Sequence, residues 1–351
     1  LLSLRQLMKE YDWLVVGSGP AGIVSVGKLL DEGIKPESIC WIDPDFNAGD
    51  IGKYWFNVSS NTDVSLFTKF FEGYKSFNYE KFNSPLKRLD QNNKCQLVYA
   101  ADALKWVTSQ LVEKVMTITG SVESINSIGG LAWHVTGEHF DIKAKKIILA
   151  QGSDASTLGC STETIPLDVA LNKELLTKEK LNNKNIAVFG SSHSAVIVIQ
   201  NLLELGVSVI NFYRSPLVYA VNMGDWLLHD GLGLKGKTAE WARENLHSQT
   251  PLKLKRYLSN NENVDKYLPN CGYAIYATGF KKRVIKIDDV SANEYDPRNG
   301  IIAPGIFGLG IAYPELATDP YGHQEYHVGL YKFMKLINRV FPLWCVYPET
   351  I

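Results

Sequence analysis

Cysteine is scarce and never paired in this chain. Its five copies (Cys40, Cys95, Cys160, Cys271, Cys345) are scattered, odd in number and nowhere spaced as C-x-x-C. That excludes a disulfide framework, a zinc site and an adjacent redox dithiol, and it reads as a reduced, cytoplasmic chain. Long apolar runs are missing too: no stretch approaches the roughly twenty residues that span a bilayer. The first residues lack a basic start, an apolar core and a small-residue cleavage site, so no signal peptide is expected. Met8 is the expected natural start, with residues 1–7 an upstream extension. Neither sign of charge dominates, with 36 Lys and Arg against 37 Asp and Glu. No nucleic-acid groove and no anionic membrane surface is therefore expected. His323 and His327 stand four apart without an H-E-x-x-H glutamate pattern, so no metal is expected.

What the chain does have is a strand-length apolar run, Trp13-Leu14-Val15-Val16, that ends in Gly17-Ser18-Gly19-Pro20-Ala21-Gly22. The G-x-G-x-x-G glycines have separate tasks. Gly17 makes the tight turn, Gly19 lets backbone approach a pyrophosphate, and Gly22 lets the following helix pack on the strand. The helix N-terminus then offers free N–H groups to phosphate. A second strand, residues 38–42, closes on Asp43, at the distance where an acid meets a ribose hydroxyl. The alternative is a glycine-rich turn without ligand, which the full context disfavours.

Further along, residues 44–62 form a long loop with glycines beside aromatics, suited to lying against a flat ligand; Trp55 there reads equally as a cap on the core. Residues 63–95 read as irregular structure with short helices, and residues 99–116 as an amphipathic helix. Residues 115–119, 122–125, 131–135 and 140–142 alternate like an antiparallel meander. Residues 146–150 form a buried strand running into Gln151-Gly152. A polar connection, 153–184, contains a short charged helix at 173–181.

The opening pattern then recurs. Strand 185–189, the turn Gly190-Ser191-Ser192-His193-Ser194-Ala195, helix 196–205 and strand 207–212 make a second β-α-β unit. Ser192 and Ala195 stand where glycines would be, and small residues still allow close approach. The first unit closes on an acid and the second on Arg214, which suits a 2′-phosphate and hence NADPH over NADH. A solvated surface arginine is the alternative. Helical pieces are expected around Trp226, around Trp241 and over 253–258, then a strand at 273–277, another strand and turn at 305–310, and a helix over about 325–340.

Two β-α-β units about 170 residues apart, with a meander after the first, resemble the two-dinucleotide-binding-domain flavoproteins. This superfamily, pyridine nucleotide-disulfide oxidoreductase-like in plan, includes thioredoxin reductase, flavin-containing monooxygenases and the lysine and ornithine N-hydroxylases. The resemblance implies an α/β chain of two Rossmann-like, three-layer domains, the second inserted in the first, with a small antiparallel meander. It implies a discontinuous FAD-binding domain at 8–155 and 284–351 and an NAD(P)H-binding domain at 156–283. By motif, Gly17, Gly19, Pro20, Ala21, Gly22 and Asp43 would meet FAD. Gly190, Ser191, Ser192, His193, Ser194 and Arg214 would meet NADPH. Ala150-Gln151-Gly152 and Ala277-Thr278-Gly279-Phe280 match the two A-T-G crossings, the first with Gln for Thr, and Gly308-Leu309-Gly310 matches the late turn near the flavin. Gly152, Thr278, Gly279 and Gly308 thereby join the cofactor-binding set.

Gly52-Lys53-Tyr54-Trp55 followed by Ser60-Asn61-Thr62 resembles the G-G-x-W and N-T elements of flavin-containing monooxygenases. That adds Trp55 and Thr62 to the cofactor set. It also gives Asn61 the role of the asparagine that helps hold the oxygenated C4a flavin; a plain turn residue is the alternative. Two departures stand out. The F-x-G-x-x-x-H sequence is absent from residues 153–185, and Gly52 is a single glycine. The resemblance implies an NADPH-using monooxygenase acting on nitrogen or sulfur of a small molecule. The rivals are a thiol or sulfide oxidoreductase pairing Cys160 with Cys345, a reductase or oxidase without oxygen insertion, and a non-catalytic flavin-bound sensor. A homodimer is open, since nothing in the sequence speaks to oligomeric state.

Overall fold

The computed structural model describes residues 9–129, 132–159, 161–179, 181, 184–247, 250–288 and 294–348. Residues 1–7, Met8, Cys160 and the first residue of the 131–135 segment, named above, lie outside the described residues. The chain divides into two compact units, one made of the segments before residue 154 and after residue 281, the other of the segment between.

The first unit opens with β1 (Glu10–Val16), α1 (Pro20–Asp31) and β2 (Ile39–Asp43). β1 and β2 are parallel, with Trp13 opposite Ile39 and Val16 opposite Ile42. β3 (Ser59–Asp63) and β4 (Lys94–Gln96) pair antiparallel around α2 (Val64–Phe71). α3 (Val98–Val112) then delivers the chain to β5 (Met116–Thr119), which lies parallel to β2. Residues 115–119 therefore belong to the parallel sheet and not to the meander. Alternating side chains reveal a period of two but not a direction. The direction follows from α3, because a helical crossover returns a chain parallel to its start. The meander itself is β6 (Val122–Ser127), β7 (Trp133–Gly137) and β8 (Phe140–Leu149), paired antiparallel in that order. β8 is one continuous strand, and its later residues run parallel to β1.

β9 (Ser153–Ala155) leads to the second unit. There α4 (Leu167–Leu171) and α5 (Lys173–Leu176) precede β10 (Asn185–Phe189), α6 (His193–Glu204) and β11 (Ser208–Tyr213). β12 (Val221–Asn222) and β13 (Leu227–Leu228) form a hairpin where a helix around Trp226 was expected; Gly224, at φ 101°, supplies the turn. α7 (Gly236–Leu246) carries Trp241. β14 (Leu254–Leu258) is a strand parallel to β11, where a helix over 253–258 was expected. One buried leucine among basic residues fits either period, and pairing with β11 decides between them. α8 (Asn261–Tyr267) and β15 (Cys271–Tyr276) follow. The sheet order β14-β11-β10-β15 is the third-second-first-fourth order of a doubly wound fold. Phe189 stacks between Phe212 and Tyr276, ring centroids 4.8 and 4.9 Å away.

β16 (Phe280–Lys282) leads back to the first unit. β17 (Lys286–Ile287) joins β6, β18 (Ile301–Ala303) pairs with β19 (Ile306–Gly308), and β19 lies parallel to the end of β8, Phe307 opposite Ile148. β20 (Glu315–Thr318) and β21 (Gln324–His327) form a hairpin, so the last helix, α9 (Leu330–Val346), starts later than residue 325. Three layers result. Trp13, Val15, Ile23, Leu104, Ile337 and Phe341 pack one face of the sheet against the helices. Leu14, Val16, Ile42, Val135 and Ile142 pack the other face under the meander. A parallel strand covered on both faces needs an unbroken apolar run, which is what Leu14-Val15-Val16 supplies.

Candidate dinucleotide sites

The turn after β1 is closed by backbone. Gly17 N–H donates to the Ile42 carbonyl at 2.8 Å, and Ala150 N–H donates to that of Val16 at 2.8 Å. Gly17 sits at φ 104°, and a Cβ there would lie 2.3 Å from the Ala150 carbonyl oxygen. A Cβ on Gly22 would lie 1.8 Å from the Gly17 carbonyl oxygen, the same oxygen that accepts a hydrogen bond from Trp41 Nε1 at 2.8 Å. Neither glycine can carry a side chain without moving backbone. Gly19, the N-cap of α1 with Pro20 as first helical residue, differs: a Cβ there would meet no protein atom within 4 Å. Ser18 is fully buried, and its hydroxyl oxygen has no partner among the described residues. Asp43 is buried at the end of β2 and accepts from Ser18 N–H at 2.7 Å on one oxygen and from Asp45 and Phe46 N–H at 3.0 and 2.7 Å on the other. An open approach over a glycine, a free hydroxyl and an anchored carboxylate fit a dinucleotide's pyrophosphate and ribose.

The loop after Asp43 folds back over this turn. Gly49, at φ 60°, approaches so closely that a Cβ on it would lie 2.8 Å from Gly19 Cα. Gly52 packs against the loop itself, its Cβ position 1.9 Å from the Asn47 carbonyl oxygen, and Lys53 pairs with Asp45. The single glycine at 52 thus has a local packing role, while the close approach to the phosphate turn comes from Gly49, which sequence reading passed over. Trp55 ends one turn of π-helix and is half-buried, like Asn61 and Thr62 in β3. Thr62 Oγ1 donates to Asn61 Oδ1 at 3.3 Å, and Thr62 N–H donates to Ser60 Oγ at 2.8 Å.

At the ends of β8 and β19 a polar network surrounds Gln151. Its Nε2 donates to the Arg283 carbonyl and to the Tyr313 hydroxyl, both at 3.0 Å. Arg283 donates to the Gln151 carbonyl at 3.2 Å and to Asp50 at 2.9 Å. Gln151 Oε1 is buried and has no protein donor among the described residues. Gly152, at φ 77°, leaves room for Arg283. Gly310, two residues beyond Gly308, has its Cβ position 2.7 Å from Ala21 Cβ, which brings the late turn to the N-terminus of α1. Gly17, Gly19, Ala21, Gly22, Asp43 and the 308–310 turn are therefore together. Burial raises the Tyr313 hydroxyl above the usual phenol range, with the Gln151 bond opposing it.

The second unit repeats the geometry residue for residue. Gly190 is at φ 124° with its Cβ position 2.3 Å from the Ala277 carbonyl oxygen. Gly190 N–H donates to Phe212 at 2.9 Å and Ala277 N–H to Phe189 at 2.8 Å. This register makes Tyr213, not Arg214, the counterpart of Asp43. Ser191 Oγ donates to the Ser215 carbonyl at 3.1 Å, Ser192 is the N-cap of α6, and His193 opens the helix with Ser194 following it. Both ring nitrogens of His193 are buried without a partner among the described residues. Burial, and secondarily Lys235, push its pKa down to about 4, so the ring is neutral at pH 7. Arg214 is exposed. Thr278 Oγ1 donates to the Ser156 carbonyl at 3.1 Å, and Gly279, at φ 98°, accepts from Ser156 N–H at 2.9 Å.

The thiols are placed for packing. Cys40 is buried, and Cys95 and Cys271 are half-buried, each a free thiol. Burial pushes Cys40 up to about 12 and Cys95 and Cys271 up to about 11, the reverse of an activated thiol. His327 lies 3.7 Å from Glu315 in the β20–β21 hairpin, and Glu315 also binds Arg339 at 2.6 Å.

Two Rossmann-type units, each with a glycine turn at a helix N-terminus, define a FAD-dependent oxidoreductase. Residues 11–301 match the family model described as pyridine nucleotide-disulphide oxidoreductase, and the chain belongs to that family. It is 32% identical over 381 aligned residues to monooxygenase AgnR1 of Paecilomyces divaricatus, covering 94% of this chain and 97% of that protein. Two solved structures share the fold. Ornithine N-hydroxylase from Kutzneria sp. 744 is 12% identical with a TM-score of 0.65, over 95% of this chain and 99% of that one. The bacillithiol disulfide reductase of Staphylococcus aureus is 11% identical with a TM-score of 0.61, over 98% and 100%. No described helix is long and apolar enough to cross a membrane.

Proposed function

We propose that the protein is an NADPH-using flavin monooxygenase that oxygenates a nitrogen or sulfur of a small molecule, with FAD on the first unit (8–155 and 284–351) and NADPH on the second (156–283). The observation that carries this reading is the pair of dinucleotide turns in a chain where burial raises the Cys40, Cys95 and Cys271 thiols instead of activating them. A disulfide reductase of this plan needs a low-pKa thiol beside the flavin, and similarity to monooxygenase AgnR1 over nearly the whole chain points the same way.

Bound FAD supplies the hydride acceptance and oxygen activation that side chains lack. The protein's part is holding and shielding. Ser18, Gly19 and the first N–H groups of α1 would take the pyrophosphate, and Asp43, already fixed by three backbone donors, would take the ribose. Gln151 Oε1 is available to accept a hydrogen bond from the cofactor, while Tyr313 and Arg283 hold its amide group in place. Asn61, tied to Thr62 within β3, is the residue proposed to shield and hydrogen-bond the oxygenated state. The second turn would take the NADPH pyrophosphate through Ser191, Ser192 and the start of α6, with His193 neutral in that turn.

The test is Asn61→Ser in the holoenzyme. The proposal expects unchanged reduction by NADPH and faster peroxide release in air. Unaltered peroxide release would remove Asn61 from this role.

A further inference from the structure

The equivalence of the two turns identifies a residue that sequence spacing does not. In the first unit Trp41 Nε1 donates to the Gly17 carbonyl at 2.8 Å; in the second Asn211 Nδ2 donates to the Gly190 carbonyl at the same distance and to Val188 at 2.9 Å. A fully buried asparagine in a central strand is costly unless its whole amide group is used. Here it is, because Asn211 Oδ1 accepts from Arg256 Nε at 3.0 Å. Arg256 lies directly across from Asn211 in β14. Its guanidinium lies over the ring of Tyr213, 4.8 Å from the centroid, and Tyr213 is the counterpart of Asp43.

Arg256 is therefore aimed at the ribose-reading position from the neighbouring strand. It is half-buried; among the described residues no carboxylate lies within ion-pair distance of it, and its one hydrogen bond runs from Nε to Asn211. A fixed, partly desolvated guanidinium without a counter-ion is built to receive one. Arg243 adds positive charge nearby, 4.7 Å from the Tyr219 centroid. Arg214 has none of this support: it is exposed, and among the described residues no side-chain hydrogen bond, ion pair or ring contact holds it.

We infer that Arg256 selects the 2′-phosphate of NADPH, with Asn211 as its positioning residue and Tyr213 as the platform under the guanidinium. The inference rests on the reading of the second unit as the NADPH site. Arg214 contributes only screened long-range charge.

Calorimetric binding of 2′,5′-ADP and of 5′-AMP to the full holoenzyme tests it, since neither ligand touches flavin chemistry. Wild type is expected to prefer 2′,5′-ADP. Arg256→Leu should cut that preference roughly tenfold or more, the scale of a lost charge-assisted hydrogen bond, with 5′-AMP affinity little changed and a lower thermal midpoint, because Asn211 Oδ1 loses its donor. Arg214→Leu should change it by less than about threefold. Arg256→Lys, which keeps the charge but lacks the fork held through Nε, should also lose most of the preference. Loss with Arg214→Leu and retention with Arg256→Leu would overturn the inference and leave the NADPH reading standing. Wild-type protein that binds neither ligand would overturn the reading of the second unit itself.

Discussion

Gly22→Ala places one methyl group at the tightest contact of the first unit. The new Cβ would lie 1.8 Å from the Gly17 carbonyl oxygen, where carbon and oxygen normally stand about 3.3–3.6 Å apart. Relief requires α1 to retreat from β1 by about 1.5 Å, since the oxygen is pinned by Trp41 and backbone cannot rotate away as a side chain can. Overpacking of this kind costs about 3 kcal/mol. At about 2–4 °C per kcal/mol for a unit of this size, the midpoint should fall by about 6–12 °C. The retreat also carries the helix N-terminus away from the phosphate position, so FAD retention after gel filtration should fall with it. The second unit contains its own control: Ala195 holds the equivalent place, and Ala195→Gly should shift stability by no more than about 1 kcal/mol. Scanning calorimetry with flavin absorbance reads both quantities. A Gly22→Ala protein with wild-type midpoint and full flavin content would refute the packing account of the turn.

Other perturbations separate the parts of the account. Asp43→Asn puts an amide among three N–H donors and should weaken FAD retention and cost about 1.5–3 kcal/mol, read by flavin release in urea. His193 has its folded pKa depressed to about 4 against about 6.5 unfolded. The unfolded chain therefore takes up the proton first, and stability is lost as pH falls from about 6.5 towards 4, by at most about 3 kcal/mol. His193→Gln should flatten thermal midpoints measured over that window, and parallel curves for the two proteins would contradict the assignment. Cys40, raised to about 12 by burial, should resist a thiol reagent at pH 8 until the protein unfolds, and Cys95→Ser and Cys271→Ser should leave NADPH oxidation unchanged.

Both glycine turns were legible because strand, glycines and helix are contiguous, and backbone sterics leave such a pattern few other uses. What needed the structure depends on pairing. Residues 116–119 alternate like any half-buried strand, and only the crossover through α3 makes them parallel. Residues 254–258 carry too few apolar side chains for their period to show. The end of β11 is uncertain by one residue in sequence, and pairing makes Tyr213, with Arg256 over its ring, the positional counterpart of Asp43. Gly49 lies in a loop whose path over Gly19 has no local signature. Arg283, Tyr313 and Gln151 meet from positions far apart in the chain, which no spacing rule announces.

The most direct test is an anaerobic titration of the yellow holoenzyme with NADPH and separately with NADH, followed by a pulse of air. The account expects bleaching at much lower NADPH than NADH, then a long-lived species absorbing to the blue of oxidised flavin before the yellow colour returns. Immediate reoxidation with stoichiometric peroxide would contradict monooxygenation, and absence of bleaching with either nucleotide would contradict the two-site account altogether.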